Sequence, residues 1–186
     1  MIAKMVKVQK GVSYDADGLV CGCIFCDIVN NSEPAVVVED SDEFIVFRTI
    51  APATKDHLLV CPKEHINNVY SLCGEEHARL VKRLRSAGSR CLQLLGHTED
   101  AQRHCFHVPP YNSIDHLHLH SIGTPSSMTW LGHLKYYDQS FYCHSADRVI
   151  MRLLSGVPNP SSTSKKSEVE DGAKDEHQCI RSRSKL

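Results

Sequence analysis

The chain has 186 residues, of which 41% are hydrophobic, and this apolar content is enough to build one folded domain. Its formal net charge of −1 gives no general attraction to nucleic acids or to anionic membranes. No run of about 18 apolar residues is present, so no membrane-spanning helix is predicted. The first residues lack the apolar stretch of a secretory signal, so the nine cysteines favour reduced thiols over a disulfide framework.

Residues 1–20 show little periodicity and are predicted to form a flexible, loosely held arm. Cys23 and Cys26 follow as a Cys-x-x-Cys pair, the spacing that lets two thiolates reach one zinc ion. Two other interpretations of this pair stay open at this point. One is a redox dithiol, which is weaker because no βαβ pattern surrounds the pair, and the other is two small buried side chains.

Short apolar segments predict strands at residues 36–39, 44–47 and 57–62, and the third is apolar enough to be central in a sheet. Residues 74–95 are predicted to form one long helix, because apolar side chains recur at spacings of three and four. The members of this stripe are Leu80, Leu84, Ala87, Cys91 and Leu95. Gly88 is expected to weaken the middle of the helix slightly.

A histidine-rich stretch dominates the second half of the chain. His116, His118 and His120 alternate with Leu117 and Leu119. In a strand over residues 116–122, a period of two places the three imidazoles on one face and the leucines on the other. Imidazoles titrate near neutral pH, bind metals and act as nucleophiles, so this face is predicted to line a functional site.

Further elements flank this stretch. Residues 105–108 predict a strand that ends at Pro109, and residues 146–154 predict a short terminal helix. From residue 156 onward the chain is rich in charged and turn-forming residues and predicts a disordered tail. The tail ends in Ser184-Lys185-Leu186, which predicts peroxisomal targeting, although three residues can also match by chance. The predicted domain therefore spans residues 21–155.

Taken together, these motifs resemble the histidine triad superfamily, whose signature alternates three histidines with apolar residues. Ser121 is the one imperfect apolar position. The supporting segments are similar to its Hint branch, to the third-type Hint proteins and the plant Hint-like adenylyl-sulfate enzymes in particular. They are Cys23–Cys26, residues 57–66 and the Phe-His-x-Pro-Pro segment with its continuation at residues 106–113. The resemblance covers about residues 21–154 and implies an α+β fold. It implies an antiparallel sheet of about five strands, one long helix, a short C-terminal helix and a homodimer.

The resemblance also implies an enzyme. Members cleave adenosine 5'-monophosphoramidate-like substrates, in which AMP is joined to an amine, through an adenylyl-histidine intermediate. His118 matches the nucleophile, while His120 and His57 match positions that contact the phosphate or hold the nucleophile. His116 supports the same network, and Ser113 matches a serine suited to hydrogen-bonding the leaving group.

Nucleotide-binding positions follow from the same resemblance. Ile50 matches an apolar position against the base, and Thr49 replaces an aspartate that holds the ribose hydroxyls in many relatives. Phe44 and Phe47 are candidates for the base pocket, with ordinary core packing as the alternative. His107 matches a position that often contacts the phosphate or the serine.

No organic cofactor is expected, but a structural zinc ion is. In some members the Cys-x-x-Cys pair, a histidine after Pro-Lys-x and the first triad histidine bind one zinc. Here these residues are Cys23, Cys26, His65 and His116. In that arrangement His116 would be structural and only indirectly catalytic.

Two alternatives to the phosphoramidase remain at this point. One is an adenylylsulfatase or adenylyl-sulfate phosphorylase, which differs only in its leaving group. The other is a nucleotide-binding protein with little catalysis, which the substitution by Thr49 favours. The expected partners are an adenine nucleotide, a second copy of the chain and the peroxisomal import receptor. Nucleic-acid partners are not expected, because no concentrated basic patch follows the core.

Overall fold

The computed structural model describes residues 7–158, and within that range no helix is long and apolar enough to cross a bilayer. Its strands are Lys7–Gln9 (β1), Val12–Tyr14 (β2), Val20–Cys23 (β3), Val37–Asp40 (β4), Phe44–Arg48 (β5), His57–Pro62 (β6), Gln102–His107 (β7), Leu119–Gly123 (β8) and Cys143–Ser145 (β9). Its α-helices are Ile24–Val29 (α1), Gly74–Leu94 (α2), Trp130–Lys135 (α3) and Ala146–Ser155 (α4).

A six-stranded sheet forms the centre of the molecule. Its order is β4-β5-β6-β8-β7-β9, and all neighbouring strands are antiparallel. This architecture confirms the predicted α+β class, the central position of β6 and the single long helix. The sixth strand, β9, pairs with β7 through only three residues, which is too short for an alternating pattern to predict.

The two faces of the sheet carry separate cores. Leu58 and Val60 point towards α2 and α4, while Leu59 and Cys61 point towards α1. Strand β5 alternates in the same way, so Phe44 packs on the α2 side. Four members of the predicted α2 stripe are buried on that side, whereas Leu95 follows the end of the helix and is 38% exposed.

Position 88 requires a glycine because α2 packs closely against β8. A Cβ atom at this position would lie 2.1 Å from the Oγ of Ser121 on β8. The glycine that was expected only to weaken α2 therefore lets the helix approach the strand that carries His120.

The N-terminal segment corrects the prediction of a loosely held arm. Strands β1 and β2 pair with β3 in a second sheet, and Val12 is fully buried. The carbonyl of Lys10 accepts a hydrogen bond of 2.8 Å from the amide of Asp115, just before the histidine stretch. Strands of three residues carry too little periodicity to be recognised, so the prediction was wrong over residues 7–20. Residues 1–6 and most of the predicted tail, including Ser184-Lys185-Leu186, lie outside the described range.

Seven cysteines in the described range have free thiols. Cys73 is disulfide-bonded, so the prediction of a fully reduced chain is wrong at that residue.

Candidate active site and metal centre

The histidine stretch keeps its predicted alternation although its strand is shorter than predicted. Regular pairing begins only at Leu119, in β8. Leu117 and Leu119 lie in the α2-side core, whereas the three imidazoles, which are at most 7% exposed, belong to two polar clusters.

His118 presents one ring nitrogen for chemistry. Its Nδ1 lies 2.7 Å from the carbonyl oxygen of His116. A carbonyl oxygen only accepts, so Nδ1 carries the proton and Nε2 carries the lone pair. No hydrogen bond to Nε2 occurs in the described part of the chain, and 6% of the side chain remains exposed. Phe25 packs edge-on against this ring, with the ring centroids 5.2 Å apart.

Three further imidazoles form a hydrogen-bonded chain beside His118. The amide of Ala53 donates to Nδ1 of His57 over 3.1 Å, so the Nε2–H of His57 donates to Nδ1 of His120 over 3.0 Å. The Nε2–H of His120 then donates to Nδ1 of His107 over 3.1 Å. The Nε2–H of His107 donates to the carbonyl of Lys135 over 3.0 Å. A backbone donor at one end and a backbone acceptor at the other thus assign every tautomer in this imidazole chain.

Burial keeps these imidazoles neutral. It lowers the pKa of His57 and of His118 to about 4, and it places the pKa of His120 well below its ordinary value. The pKa of His107 is lowered by the same cause. The ammonium of Lys135 acts in the same direction on His57, His107 and His120. At neutral pH His118 therefore has a free lone pair, which is the form that can attack phosphorus.

The α3 segment covers the imidazole chain. Tyr136, which follows α3, is 3% exposed, and its ring centroid lies 5.1 Å from those of His57, His107 and His120. The ammonium of Lys135 lies 5.2 Å from the centroid of the Tyr136 ring. Neither residue was predicted as part of the site, because α3 shows no motif and lies far from the histidines in sequence.

The predicted zinc ligands come together at the other end of the histidine stretch. The ligand atoms of Cys23, Cys26, His65 and His116 all lie within 4.8 Å of one another. Nδ1 of His116 is 3.4 Å from the sulfur of Cys23 and 3.5 Å from that of Cys26. Nδ1 of His65 is 3.3 Å from the Cys26 sulfur. Tetrahedral zinc with bonds of about 2.3 Å to sulfur and 2.0 Å to nitrogen requires sulfur–nitrogen distances of about 3.5 Å, so this donor set fits zinc.

The surroundings of the donors also suit a metal. The Nε2–H of His116 donates to the carbonyl of Pro62 over 3.0 Å, which leaves the Nδ1 lone pair directed at the two sulfurs. The hydrogen bond from Cys26 lowers the pKa of the Cys23 thiol, so one sulfur is already disposed to be a thiolate.

The other predicted site residues are only partly brought together. Phe47 lies on the α1 side and packs edge-on against Phe25 with centroids 5.6 Å apart, next to His118. Phe44 belongs to the opposite core, so its assignment to a base pocket is wrong; the alternation of β5 separates it from Phe47. The hydroxyl of Thr49 accepts from the amide of Ala51 over 3.3 Å, and Ile50 is fully exposed.

Ser113 lies on the loop before the histidine stretch and is exposed, while its neighbour Asn112 is buried. The side-chain amide of Asn112 donates to the carbonyl of Ile114 over 3.1 Å and to the carboxylate of Asp115 over 3.3 Å. These contacts hold the loop in place. Asn112 was not predicted, although it stands directly beside Ser113.

Comparison with known proteins agrees with this geometry. A family model described as the scavenger mRNA decapping enzyme C-terminal binding domain matches residues 22–136. Adenosine 5'-monophosphoramidase HINT3 of Xenopus tropicalis is 34% identical over 148 residues, which cover 78% of this chain and 93% of the relative. The bifunctional adenosine 5'-phosphosulfate phosphorylase/adenylylsulfatase HINT4 of Arabidopsis thaliana is 40% identical over 109 residues, or 58% of this chain and 74% of the relative.

Solved structures show the same fold. A HIT family hydrolase from Legionella pneumophila Philadelphia 1 is 31% identical, with a TM-score of 0.53, over 59% of this chain and 97% of that chain. With the family model covering more than half of its residues, the chain belongs to the histidine triad family, in the branch that contains the HINT proteins.

Proposed function

We propose that this protein is a nucleotide hydrolase or transferase that cleaves adenosine 5'-monophosphoramidate-like substrates, with His118 as the nucleophile. The observation that carries the proposal is the fixed tautomer of His118, whose Nδ1 is held by the His116 carbonyl while Nε2 is neutral and accessible. The names of the HINT3 relatives from Xenopus tropicalis and Mus musculus support the same activity.

The chemistry proceeds in two displacements. The Nε2 lone pair of His118 forms a bond to the α-phosphorus, and the phosphorus–nitrogen bond breaks as the amine leaves with the electron pair and takes up a proton from solvent. Water then attacks the phosphorus, loses a proton to solvent, and displaces the imidazole to release AMP. Dividing one difficult displacement into two steps is the advantage of a covalent intermediate.

The imidazole chain supports both steps. His120 lies 5.0 Å from His118, ring centroid to ring centroid, and its own tautomer is held on both sides. Because these hydrogen bonds hold the ring of His120 in one tautomer before the substrate arrives, the neighbour of the nucleophile needs little reorganisation during the reaction. Phe25 packs against both His118 and Phe47, so an apolar surface adjoins the nucleophile.

Replacement of the nucleophile tests this function. His118→Ala should lower kcat by about 10³-fold or more on adenosine 5'-monophosphoramidate, while the melting temperature stays close to that of the wild type. His133→Ala, at an exposed position on α3, is the matched control and should keep full activity. Full activity of His118→Ala would contradict the mechanism. Tight AMP binding by a wild-type protein that cleaves no adenylate would instead favour the nucleotide-binding alternative.

We also propose that Cys23, Cys26, His65 and His116 hold a structural zinc ion. Such an ion ties α1 to the start of the histidine stretch and stabilises the folded chain. Metal analysis should find about one zinc per chain in the wild type and in Cys21→Ser, which alters an exposed thiol. Cys26→Ser should lose most of the metal and melt at a lower temperature. A purified wild-type protein with well under one zinc per chain would rule out the site.

A homodimer is the third part of the proposal. Its support, besides the resemblance, is an apolar sheet edge at β4, where Val36, Val37 and Val38 are 64%, 43% and 38% exposed. Light scattering should give twice the 20.8 kDa of one chain, and a mass of one chain at all concentrations would exclude the dimer.

A further inference from the structure

The loop that carries Ser113 lies against the hairpin formed by β1 and β2. This hairpin turns at Lys10 and Gly11, which both have positive φ angles, 47° and 69°, as the type I′ turns of two-residue hairpins require. Its residue Val12 is fully buried in the α1-side core, against which Ile114 also packs. The hairpin is therefore anchored in the core beside this loop.

The hairpin contacts the loop on both sides of Ser113. Before the serine, the ammonium of Lys10 donates a hydrogen bond to the carbonyl of Pro110. After the serine, the carbonyl of Lys10 accepts a hydrogen bond of 2.8 Å from the amide of Asp115. The turn also lies directly on Ile114, because a Cβ atom at the second turn residue would be 2.7 Å from Cδ1 of Ile114. Ser113 therefore lies between two points at which the hairpin holds the loop.

The buried carboxylate of Asp115 ties the hairpin to two further segments. The hydroxyl of Tyr14, on β2, donates to Oδ2 of Asp115 over 3.1 Å. The side-chain amides of Asn68 and Asn112 donate to Oδ1 over 2.8 and 3.3 Å. A buried carboxylate needs such donors, because burying a charge without hydrogen-bond partners is costly. Removing the hydroxyl of Tyr14 should therefore loosen the hold of the hairpin on the loop.

The same loop adjoins the nucleophile. Asn112 and Ile114, the two neighbours of Ser113 in sequence, line a small internal cavity together with His107 and His118. Ser113 itself is exposed, and its hydroxyl makes no hydrogen bond within the described part of the chain. The position of this hydroxyl is therefore set by the backbone of the loop.

We infer that the hairpin of β1 and β2 positions Ser113 for the departure of the amine, with Tyr14 and Lys10 as positioning residues. This inference rests on the proposed function, in which His118 displaces the amine first and water attacks second. A serine that binds the leaving group acts only in the first step. Loosening the loop should therefore slow the first step, because that step depends on orientation, and should spare the second.

Rapid-quench single-turnover kinetics on adenosine 5'-monophosphoramidate give the rate of each step, because substrate, adenylyl-enzyme and AMP are measured separately. Tyr14→Phe should slow the loss of substrate about fivefold and leave the hydrolysis of the adenylyl-enzyme unchanged. Lys10→Met should act in the same direction, and it repeats the test at an exposed position outside the core. Lys7→Met, at an exposed position of β1, is the matched control and should change neither step.

A double-mutant cycle tests whether the hairpin acts through Ser113. Ser113→Ala should slow the first step about tenfold, as expected for one lost hydrogen bond, and adding Tyr14→Phe should cause no further loss. A merely structural role of the hairpin predicts losses that add and that affect both steps. That result, or no loss in Ser113→Ala, or no loss in both Tyr14→Phe and Lys10→Met, would overturn the inference while leaving the phosphoramidase intact. A wild type that cleaves no phosphoramidate would instead refute the proposed function.

Discussion

His116 and His118 are only two residues apart, yet their ring nitrogens meet different partners. Nδ1 of His116 faces two sulfurs at 3.4 and 3.5 Å, and its Nε2 is bound to a backbone carbonyl. In His118 Nδ1 is bound to the carbonyl, and Nε2 has no hydrogen bond within residues 7–158. The backbone therefore selects opposite nitrogens in the two rings.

The surrounding residues give two histidines of one motif different roles. Around His116 the two sulfurs and two imidazole nitrogens lie within 4.8 Å of one another. Once the thiols ionise, a shared cation neutralises their negative charge. Around His118 the neighbouring imidazoles form a chain in which each donates to the next, so no shared cation is needed. One site suits a metal, and the other suits a neutral nucleophile.

Replacing His116 or His118 by cysteine should have the largest effect, and a different effect at each of the two sites. If His116 binds zinc as proposed, His116→Cys substitutes a thiolate for the imidazole, and the protein should keep about one zinc per chain and most of its activity. His118→Cys should keep the zinc but lose about 10³-fold in kcat, because the thiol does not reproduce the neutral imidazole nucleophile. Metal analysis and steady-state kinetics on the same samples measure both effects. Loss of activity without loss of zinc in His116→Cys would show that His116 also belongs to the catalytic site.

Lowering the pH should destabilise the fold, because the buried imidazoles are held neutral. The folded-state pKa of His57 is about 4, below the ordinary value of about 6.5, so the unfolded chain binds more protons between these values. The contribution of His57 to the free energy of unfolding is therefore fully present above pH 6.5 and is lost as the pH falls towards 4. His104, on β7 but hydrogen-bonded to Ser121, has the same lowered pKa, about 4. Each group contributes on the order of 3 kcal/mol if its shift is fully expressed.

Urea unfolding at pH 7 and pH 5 measures this loss. His104→Gln should reduce the dependence of the unfolding free energy on pH by up to about 1.4 kcal/mol per pH unit, because one proton no longer binds on unfolding. His133→Gln, at an exposed histidine, should leave the dependence unchanged. An unchanged slope in His104→Gln would mean that this imidazole is not held neutral by the fold.

Sequence patterns predicted the parts of this architecture that depend on local periodicity. The limits of β6, the length of α2 and the alternation at residues 116–120 needed only neighbouring residues. The four candidate metal-binding residues were grouped through the resemblance, and the structure brings their ligand atoms together. Periodicity could not tell which face of β5 would look towards His118, which is why Phe44 was misplaced.

Contacts that cross long sequence separations were missed. His107 and Lys135 are 28 residues apart, and α3 exposes Trp130, Leu131 and Leu134 instead of burying an apolar stripe. No periodic signal therefore predicted that this segment would cover the imidazole chain. The hairpin of β1 and β2 was missed for a related reason. Its structure depends on pairing with β3, and its own short sequence carries no signal for it.

Gly88→Ala should affect the imidazole-chain site but not the candidate metal site. The new Cβ would meet Ser121 Oγ at 2.1 Å and Ser121 Cβ at 2.9 Å, so β8 must move away from α2. Overpacking of this kind costs about 1–3 kcal/mol. His120 directly precedes Ser121 in β8, whereas His116 lies outside the strand, so kcat should fall while the zinc content stays near one per chain. Ser86→Ala, on the exposed side of the same helix, is the matched control and should change neither. Parallel losses of zinc and activity in Gly88→Ala would show that both sites depend on the packing of α2 against β8.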